Sequence, residues 1–221
     1  MPEGNDHGPV HHPGFARVYA RLSQTMEAGV AEHRTALLAG LTGRVIEVGA
    51  GNGLNFGYYP DGVTEIVAVE PEPYLRGLGL EAARQVAVPV QVIDGVAEDL
   101  PAADASFDAG VASLVLCSVR DQPRALAELY RVIRPGGQLR FFEHVRAEGP
   151  AHARVQRLAD SLWPLLAGGC HTSRDTLGAI TAAGFRLGGY RRMRIPDSRL
   201  PWPNAPHAVG AAHRPPAGGG T

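Results

Sequence analysis

The residues best placed to do chemistry are a glycine-rich turn and a carboxylate that follows it. Val45-Ile46-Glu47-Val48 leads straight into Gly49-Ala50-Gly51-Asn52-Gly53. Seventeen residues past Gly53, a second apolar run, Ile66-Val67-Ala68-Val69, ends on Glu70. Such a pair of strands describes a nucleotide-type ligand held across the carboxyl ends of a parallel sheet. The glycines admit the ligand to the backbone, and the carboxylate accepts from two ribose hydroxyls. The spacing is Gly-x-Gly-x-Gly followed by Leu54, so the dinucleotide pattern G-x-G-x-x-G is not met. A pyrophosphate also needs helix N-terminal amides, and Glu47, two residues ahead of the first glycine, would repel it. A ligand carrying an ammonium or a sulfonium suits that carboxylate. The cofactor inferred is S-adenosylmethionine.

The elements that must position these groups follow in regular order. Val88 to Val92 reads as a third strand, and Ser106-Phe107-Asp108 opens a fourth, Ala109 to Leu116. Pro123 to Val132 has Ala125, Leu126, Leu129 and Val132 at helical spacing, with the proline suited to a first turn. Arg134-Pro135-Gly136-Gly137 is a turn signal, and Gln138 to Phe142 a fifth strand. Near-continuous apolar strands alternating with helices imply a parallel sheet covered on both faces.

Five stretches resemble the successive motifs of class I S-adenosylmethionine-dependent methyltransferases. They are Glu47 to Gly53, Glu70-Pro71, Ala97-Glu98-Asp99-Leu100-Pro101, Ser106-Phe107-Asp108 and Arg131 to Gly137. The likeness spans about residues 40 to 145 and is nearest the small-molecule branch that holds the ubiquinone/menaquinone-type enzymes. Leu114 to Val119, Glu143-His144-Val145, Gly169-Cys170, Arg174-Asp175 and Pro206-His207 with Gly210 are also similar to the group that methylates alkyl thiols. The resemblance implies a Rossmann-like, seven-stranded α/β sheet, mostly parallel, with an antiparallel C-terminal hairpin and helices on both faces. It further implies a cofactor cradle of Gly49, Gly51, Asn52 and Gly53. Glu47 would act indirectly on the ammonium, and Glu70 would hold the ribose diol. Pro71 would pack on the adenine, with backbone groups of Val96 and Ala97 at the adenine edge. Many relatives carry an aspartate where Val96 stands, so Glu98 is a possible substitute. Ser113 and Leu114 would line the space between sulfonium and acceptor. Tyr19, on a helix expected from Phe15 to Leu41, could reach the cofactor's carboxylate.

The acceptor side is expected after residue 145. His152 to Leu166 reads as a helix broken by Pro164, and Ser173 to Ala183 as another, capped by Ser173 or Thr172. Phe185 to Met193 and His207 to Ala211 would be the last two strands. Trp163, Trp202 and Cys170 are candidates to wall an apolar acceptor pocket. His144, past the fifth strand, and His171, beside Gly168-Gly169-Cys170, are the candidate bases. A thiol, with pKa about 8.5, needs less help than a phenol near 10.

Composition bounds the rest. The 221 residues suit one domain, and 21 basic against 22 acidic side chains leave no extended basic surface. Arg191, Arg192 and Arg194 cluster but read as a solvated face, so nucleic acid is disfavoured. Cys117 and Cys170 have neither C-x-x-C nor other metal spacing, so no metal is expected from them. No apolar run reaches the roughly 20 residues of a membrane span, and no leader is evident. A cytoplasmic protein without integral membrane association is the expectation. The domain is placed at residues 14–213. Within it, 14–41 would be lid helices, 42–145 the cofactor core and 146–213 the acceptor side. Tails at 1–13 and 214–221 are expected to be mobile, and His7, His11 and His12 are not taken as a metal site. The reading is a methyltransferase acting on a small, largely apolar acceptor, thiol preferred. O- or C-methylation of a phenol or quinone is the alternative, then a non-catalytic S-adenosylmethionine-binding regulator. An NAD-dependent oxidoreductase is disfavoured by Leu54. Oligomeric state stays open.

Overall fold

In the computed structural model, residues 13–198 and 200–218 are described. The expected N-terminal tail and its three histidines lie outside them, apart from Pro13. Helix α1 (Pro13–Leu38) leads into β1 (Gly43–Val48) and β2 (Val63–Val69). Then come α2 (Pro73–Ala83), β3 (Val90–Ile93), β4 (Phe107–Ser113), α3 (Gln122–Val132) and β5 (Ile133–His144). The acceptor-side region adds α4 (Pro150–Ala159), α5 (Trp163–Leu166) and α6 (Thr176–Ala182), and β6 (Arg186–Arg194) and β7 (Pro206–His213) close the chain.

The seven strands form one sheet in the order β3-β2-β1-β4-β5-β7-β6. The first five are parallel, and β7 is antiparallel to both β5 and β6. The expected fold class is therefore the observed one. Val45, Ile46, Val48, Ile66, Ala68, Ala109, Val111 and Ala112 are buried. This is why the central strands read as unbroken apolar runs. The strand order reverses between β1 and β4, where neighbouring connections leave on opposite sides, and the glycine turn after β1 opens at that switch point.

Several boundaries differ from the sequence reading, each for a local reason. Strand β4 stops at Ser113 rather than Leu116, because Leu114 adopts φ +58° and turns the chain. The Arg134–Gly137 stretch does not separate α3 from β5. It lies within β5 as an irregularity, with Phe107 pairing Ile133 and Ala109 pairing Gln138. Pro164 does not break a helix; it occupies the first turn of α5, separate from α4. Helix α6 is capped by Asp175, whose carboxylate accepts from the Gly178 amide at 3.2 Å. Thr172 and Ser173, expected as caps, instead donate to Asp160. Arg214, expected to begin a mobile tail, is anchored. Its guanidinium donates to the Ile133 carbonyl at 2.6 Å and lies over the Tyr130 ring at 4.5 Å.

Among the described residues no helix is long and apolar enough to cross a membrane.

Candidate cofactor and acceptor site

The turn after β1 is built from three left-handed glycines, Gly49, Gly51 and Gly53, with φ of +62°, +58° and +76°. Any other residue would be strained at each of them. They differ in what surrounds them. A Cβ on Gly49 would meet Val115 at 2.3 Å, and one on Gly53 would meet Phe56 and Ala82 below 3 Å. Over Gly51 the nearest atom to such a Cβ is a Tyr19 ring carbon at 3.7 Å. The outer glycines are crowded by packing, whereas a Cβ at Gly51 would meet the Tyr19 ring at ordinary contact distance.

Glu70, at the end of β2, is 5% exposed. Its Oε2 accepts from the Gly51 amide at 2.8 Å and its Oε1 from the Glu72 amide at 2.9 Å. Burial raises the carboxyl pKa, and these two amides oppose the shift. Each oxygen keeps a lone pair for a hydroxyl. Arg76 donates to the carbonyls of Glu70 and Pro71, fixing the chain as it leaves the strand.

A cavity over the turn is lined by Tyr19, Arg34, Glu47, Gly49, Asn52, Ser113 and Leu114, among others. It brings together six of the cofactor residues expected from the sequence, Tyr19, Glu47, Gly49, Asn52, Ser113 and Leu114, from α1, β1, the glycine turn and the end of β4. Glu47 is buried beneath it, accepting from Asn55 at 2.7 Å and from the Tyr59 hydroxyl at 2.6 Å. Burial raises the Glu47 pKa even so. Arg34 donates to the Asn55 oxygen at 2.6 Å, so Glu47 reaches the cavity through a relay that ends on a cation. Tyr19, half-buried, has its hydroxyl pKa raised by desolvation, with Arg34 the opposing influence. Asn52 donates to Ser23 of α1 at 3.2 Å, which ties the helix to the turn.

Arg34 was not singled out from the sequence. It lies on the same helical stripe as Val30 and Leu38, four residues from each, and it is 7% exposed. A charge on an apolar stripe was the signal available. Glu143 was also unassigned. It is fully buried, and its carboxylate accepts from the amides of Val115, Leu116 and Cys117. That clasp fixes the turn after β4, at whose start Leu114 is held in the left-handed region with its amide on the Phe142 carbonyl. Non-glycine residues so placed are uncommon and concentrate at functional sites.

On the adenine side, the Val96 carbonyl accepts from the Asp99 amide at 3.2 Å, and the Ala97 side chain is buried in the core. The Glu98 carboxylate accepts from the amides of Arg120 and Asp121, and its carbonyl accepts from Arg124, which ties Glu98 to the start of α3.

The two histidines have different surroundings. His171 is on the rim, with its side chain 39% exposed and its Nδ1 3.6 Å from Asp160. Its amide donates to the Cys117 carbonyl at 2.8 Å. His144 is wedged between sulfurs, its Nδ1 3.4 Å from Cys117 Sγ and 3.5 Å from Cys170 Sγ. Its ring stands 4.4 Å from that of His207. Burial pulls the His144 pKa down, but the neighbouring Cys117 and Glu143 outweigh it. Burial and His144 hold His207 neutral, with its pKa lowered to about 3. Cys170 is thus brought to His144, while Trp163 is half-buried at the start of α5. Trp202 is 49% exposed, on a loop whose carbonyl meets His152. Leu162, Leu165 and Leu166, just ahead of Cys170, are exposed.

The cradle fits S-adenosylmethionine on this geometry. It offers a cavity over the glycine turn, a carboxylate held by the Gly51 amide for the ribose, and a cation for the amino acid end. A family profile described as a methyltransferase domain matches residues 46–141. The chain is 34% identical over 181 residues to a human protein named thiol S-methyltransferase TMT1A, covering 79% of this chain and 72% of that one. It is 38% identical over 96 residues to a demethylmenaquinone methyltransferase of Renibacterium salmoninarum, covering 43% and 39% respectively. Among solved structures, a geranyl diphosphate methyltransferase in complex with S-adenosylmethionine superposes with a TM-score of 0.67 at 18% identity, over 95% of each chain. A methyltransferase from Bacillus halodurans gives 0.68 at 15% identity, over 85% of this chain and 99% of its own. These two likenesses are of fold.

Proposed function

Because the chain belongs to the thiol S-methyltransferase family of S-adenosylmethionine-dependent methyltransferases, we propose that it methylates the sulfur of a small, largely apolar thiol. The cofactor supplies an electrophilic methyl group on a sulfonium. Glu70 accepts from the ribose diol and Pro71 packs at the adenine. Arg34 and Tyr19 take the carboxylate of the amino acid end, and Glu47, through Asn55, fixes Arg34. Ser113 and Leu114 border the space where sulfonium and acceptor meet. Positioning the nucleophile in line is the larger part of the acceleration. Excluding water adds to it when an anion attacks a cation and charge is neutralised.

The observation that carries the thiol assignment is how the candidate titratable groups are engaged. Glu47 is bound by two donors, His144 sits between two sulfurs, and His171 stands on the rim against Asp160. This arrangement supports an acceptor that ionises near neutrality, about pKa 8.5 for a thiol against 10 for a phenol. His171 is the proposed proton acceptor for the fraction that is still a thiol. Exposed Leu162, Leu165, Leu166 and Trp202 on the acceptor-side region favour an apolar substrate. The location proposed is cytoplasmic. Steady-state turnover of a short alkyl thiol, a phenol and a quinol of matched size tests the reading. The thiol should show a kcat/KM at least tenfold above the others. Preferred turnover of the phenol or quinol would replace sulfur with oxygen or carbon as the accepting atom.

A further inference from the structure

Two cysteines with no metal spacing in the sequence are brought against one imidazole by the fold. Cys117 follows β4, His144 ends β5 and Cys170 lies before α6, yet their ligating atoms all fall within 4.8 Å of one another. Both short contacts involve the same atom, His144 Nδ1, at 3.4 and 3.5 Å from the two sulfurs. In a tetrahedral site with metal–sulfur near 2.3 Å and metal–nitrogen near 2.0 Å, the sulfur–nitrogen edge is about 3.5 Å. The observed edges match it. A single ring nitrogen has one lone pair or one proton and cannot satisfy two thiols at once, whereas one cation between the three atoms satisfies all of them.

The frame around the trio is already rigid. Glu143 holds the amides of Val115, Leu116 and Cys117. The His171 amide joins the Cys170 loop to the Cys117 carbonyl. Thr176 Oγ1 donates to the carbonyl of His144, and the His207 ring stacks beside the imidazole. Sulfur and nitrogen ligands select zinc-class or other soft cations over magnesium or calcium. Among the described residues the group holds three ligands, and three protein ligands leave the fourth position open. The two cysteines are buried while His144 is only partly so, which puts the accessible side at the imidazole.

We propose that Cys117, His144 and Cys170 bind a soft divalent cation of the zinc class, whose fourth position takes the thiolate of the acceptor. The second half of this statement rests on the thiol methylation proposed above. On binding, the acceptor's S–H proton passes to His171, the base proposed above. Its sulfur then forms a bond to the methyl carbon as the sulfonium's own carbon–sulfur bond breaks. The neutral thioether that results is a weaker ligand than a thiolate and leaves.

The test is titration of the reduced, metal-stripped protein with Co²⁺ alone, followed by absorption, with S-adenosylmethionine binding measured on the same samples. One equivalent should produce thiolate-to-cobalt charge transfer and the visible bands of a tetrahedral ion. Zn²⁺ should displace the cobalt. Cys117→Ser, Cys170→Ser and His144→Asn should each lose or grossly shift the bands, and a short alkyl thiol should move them in the parent protein. No bands, or bands that survive Cys170→Ser, would overturn the site. Bands unmoved by the alkyl thiol would overturn its use by the acceptor. S-adenosylmethionine binding without cobalt bands defeats the metal site alone, and its loss from the parent protein defeats the methyltransferase reading.

Discussion

Glu70 shows how a residue's role follows from position and partners together. Its distance from the glycine turn was visible in the sequence, because a strand-ending acid after a glycine-rich turn has few other uses. What the sequence did not show is that the Gly51 amide holds the carboxylate, so the turn and the acid form one unit. Glu70→Ala is expected to weaken S-adenosylmethionine binding by about 10- to 100-fold, the value of one to two charge-assisted hydrogen bonds. Calorimetric titration checks this. Arg34 and Glu143 escaped the sequence reading for a common reason. Each is defined by partners 21 to 28 residues away, and no local pattern encodes them. His171 carries a sharper prediction. If it accepts the proton of a thiol, His171→Ala should lower turnover by about tenfold near neutrality, within the range of general-base effects. That deficit should close as pH passes about 8.5 and the acceptor ionises unaided. A deficit constant across the pH profile would contradict the role.

Elements were legible where periodicity or burial dominated. The central strands announced themselves as apolar runs, and α3 by its spacing. Asp121 caps it, accepting from the Arg124 amide at 3.0 Å. Ends were harder, since caps compete for partners. Thr172 and Ser173 have the right chemistry to start α6, but Asp160 on the preceding segment takes their donors, and the helix begins later on Asp175. Helix α2 was not placed at all, although Glu72 caps it and Pro73 opens it. The turn after β4 depends on Glu143 more than on its own sequence. In Glu143→Gln the side chain would present an amide group to at least one of the three backbone N–H groups it now accepts from. The unsatisfied donor should cost about 1–3 kcal/mol. For a chain of this size that lowers Tm by roughly 2–10 °C, which scanning calorimetry reads. An unchanged Tm would mean that the turn holds itself.

At the scale of the whole molecule, the mostly parallel seven-stranded sheet with its antiparallel hairpin followed from the motifs, whereas the meeting of Cys117, His144 and Cys170 did not. They lie 26 and 27 residues apart in sequence, and spacing alone argued against any shared site. The sheet is also tied across its breadth. Asp108 on β4 accepts from the Arg44 amide on β1 at 2.7 Å and from Arg134 of β5 at 2.6 Å. The backbone bond and the guanidinium hold its pKa below the ordinary 3.8, against partial desolvation. A depressed carboxylate pKa adds stability that is present above the unfolded value and lost as pH falls through the folded one. Asp108→Asn should therefore flatten the acid limb of the stability curve below about pH 4, a difference that denaturant melts across pH would reveal.

The most direct measurement is a single-turnover reaction of excess protein with S-adenosylmethionine bearing a deuterated methyl group and a short alkyl thiol, read by mass spectrometry. The expected result is one labelled methyl thioether for each S-adenosylhomocysteine formed, at a rate that Glu70→Ala lowers at subsaturating cofactor. Bound S-adenosylmethionine that yields no thioether, or label on oxygen or carbon from a phenol or quinol in its place, would contradict the account.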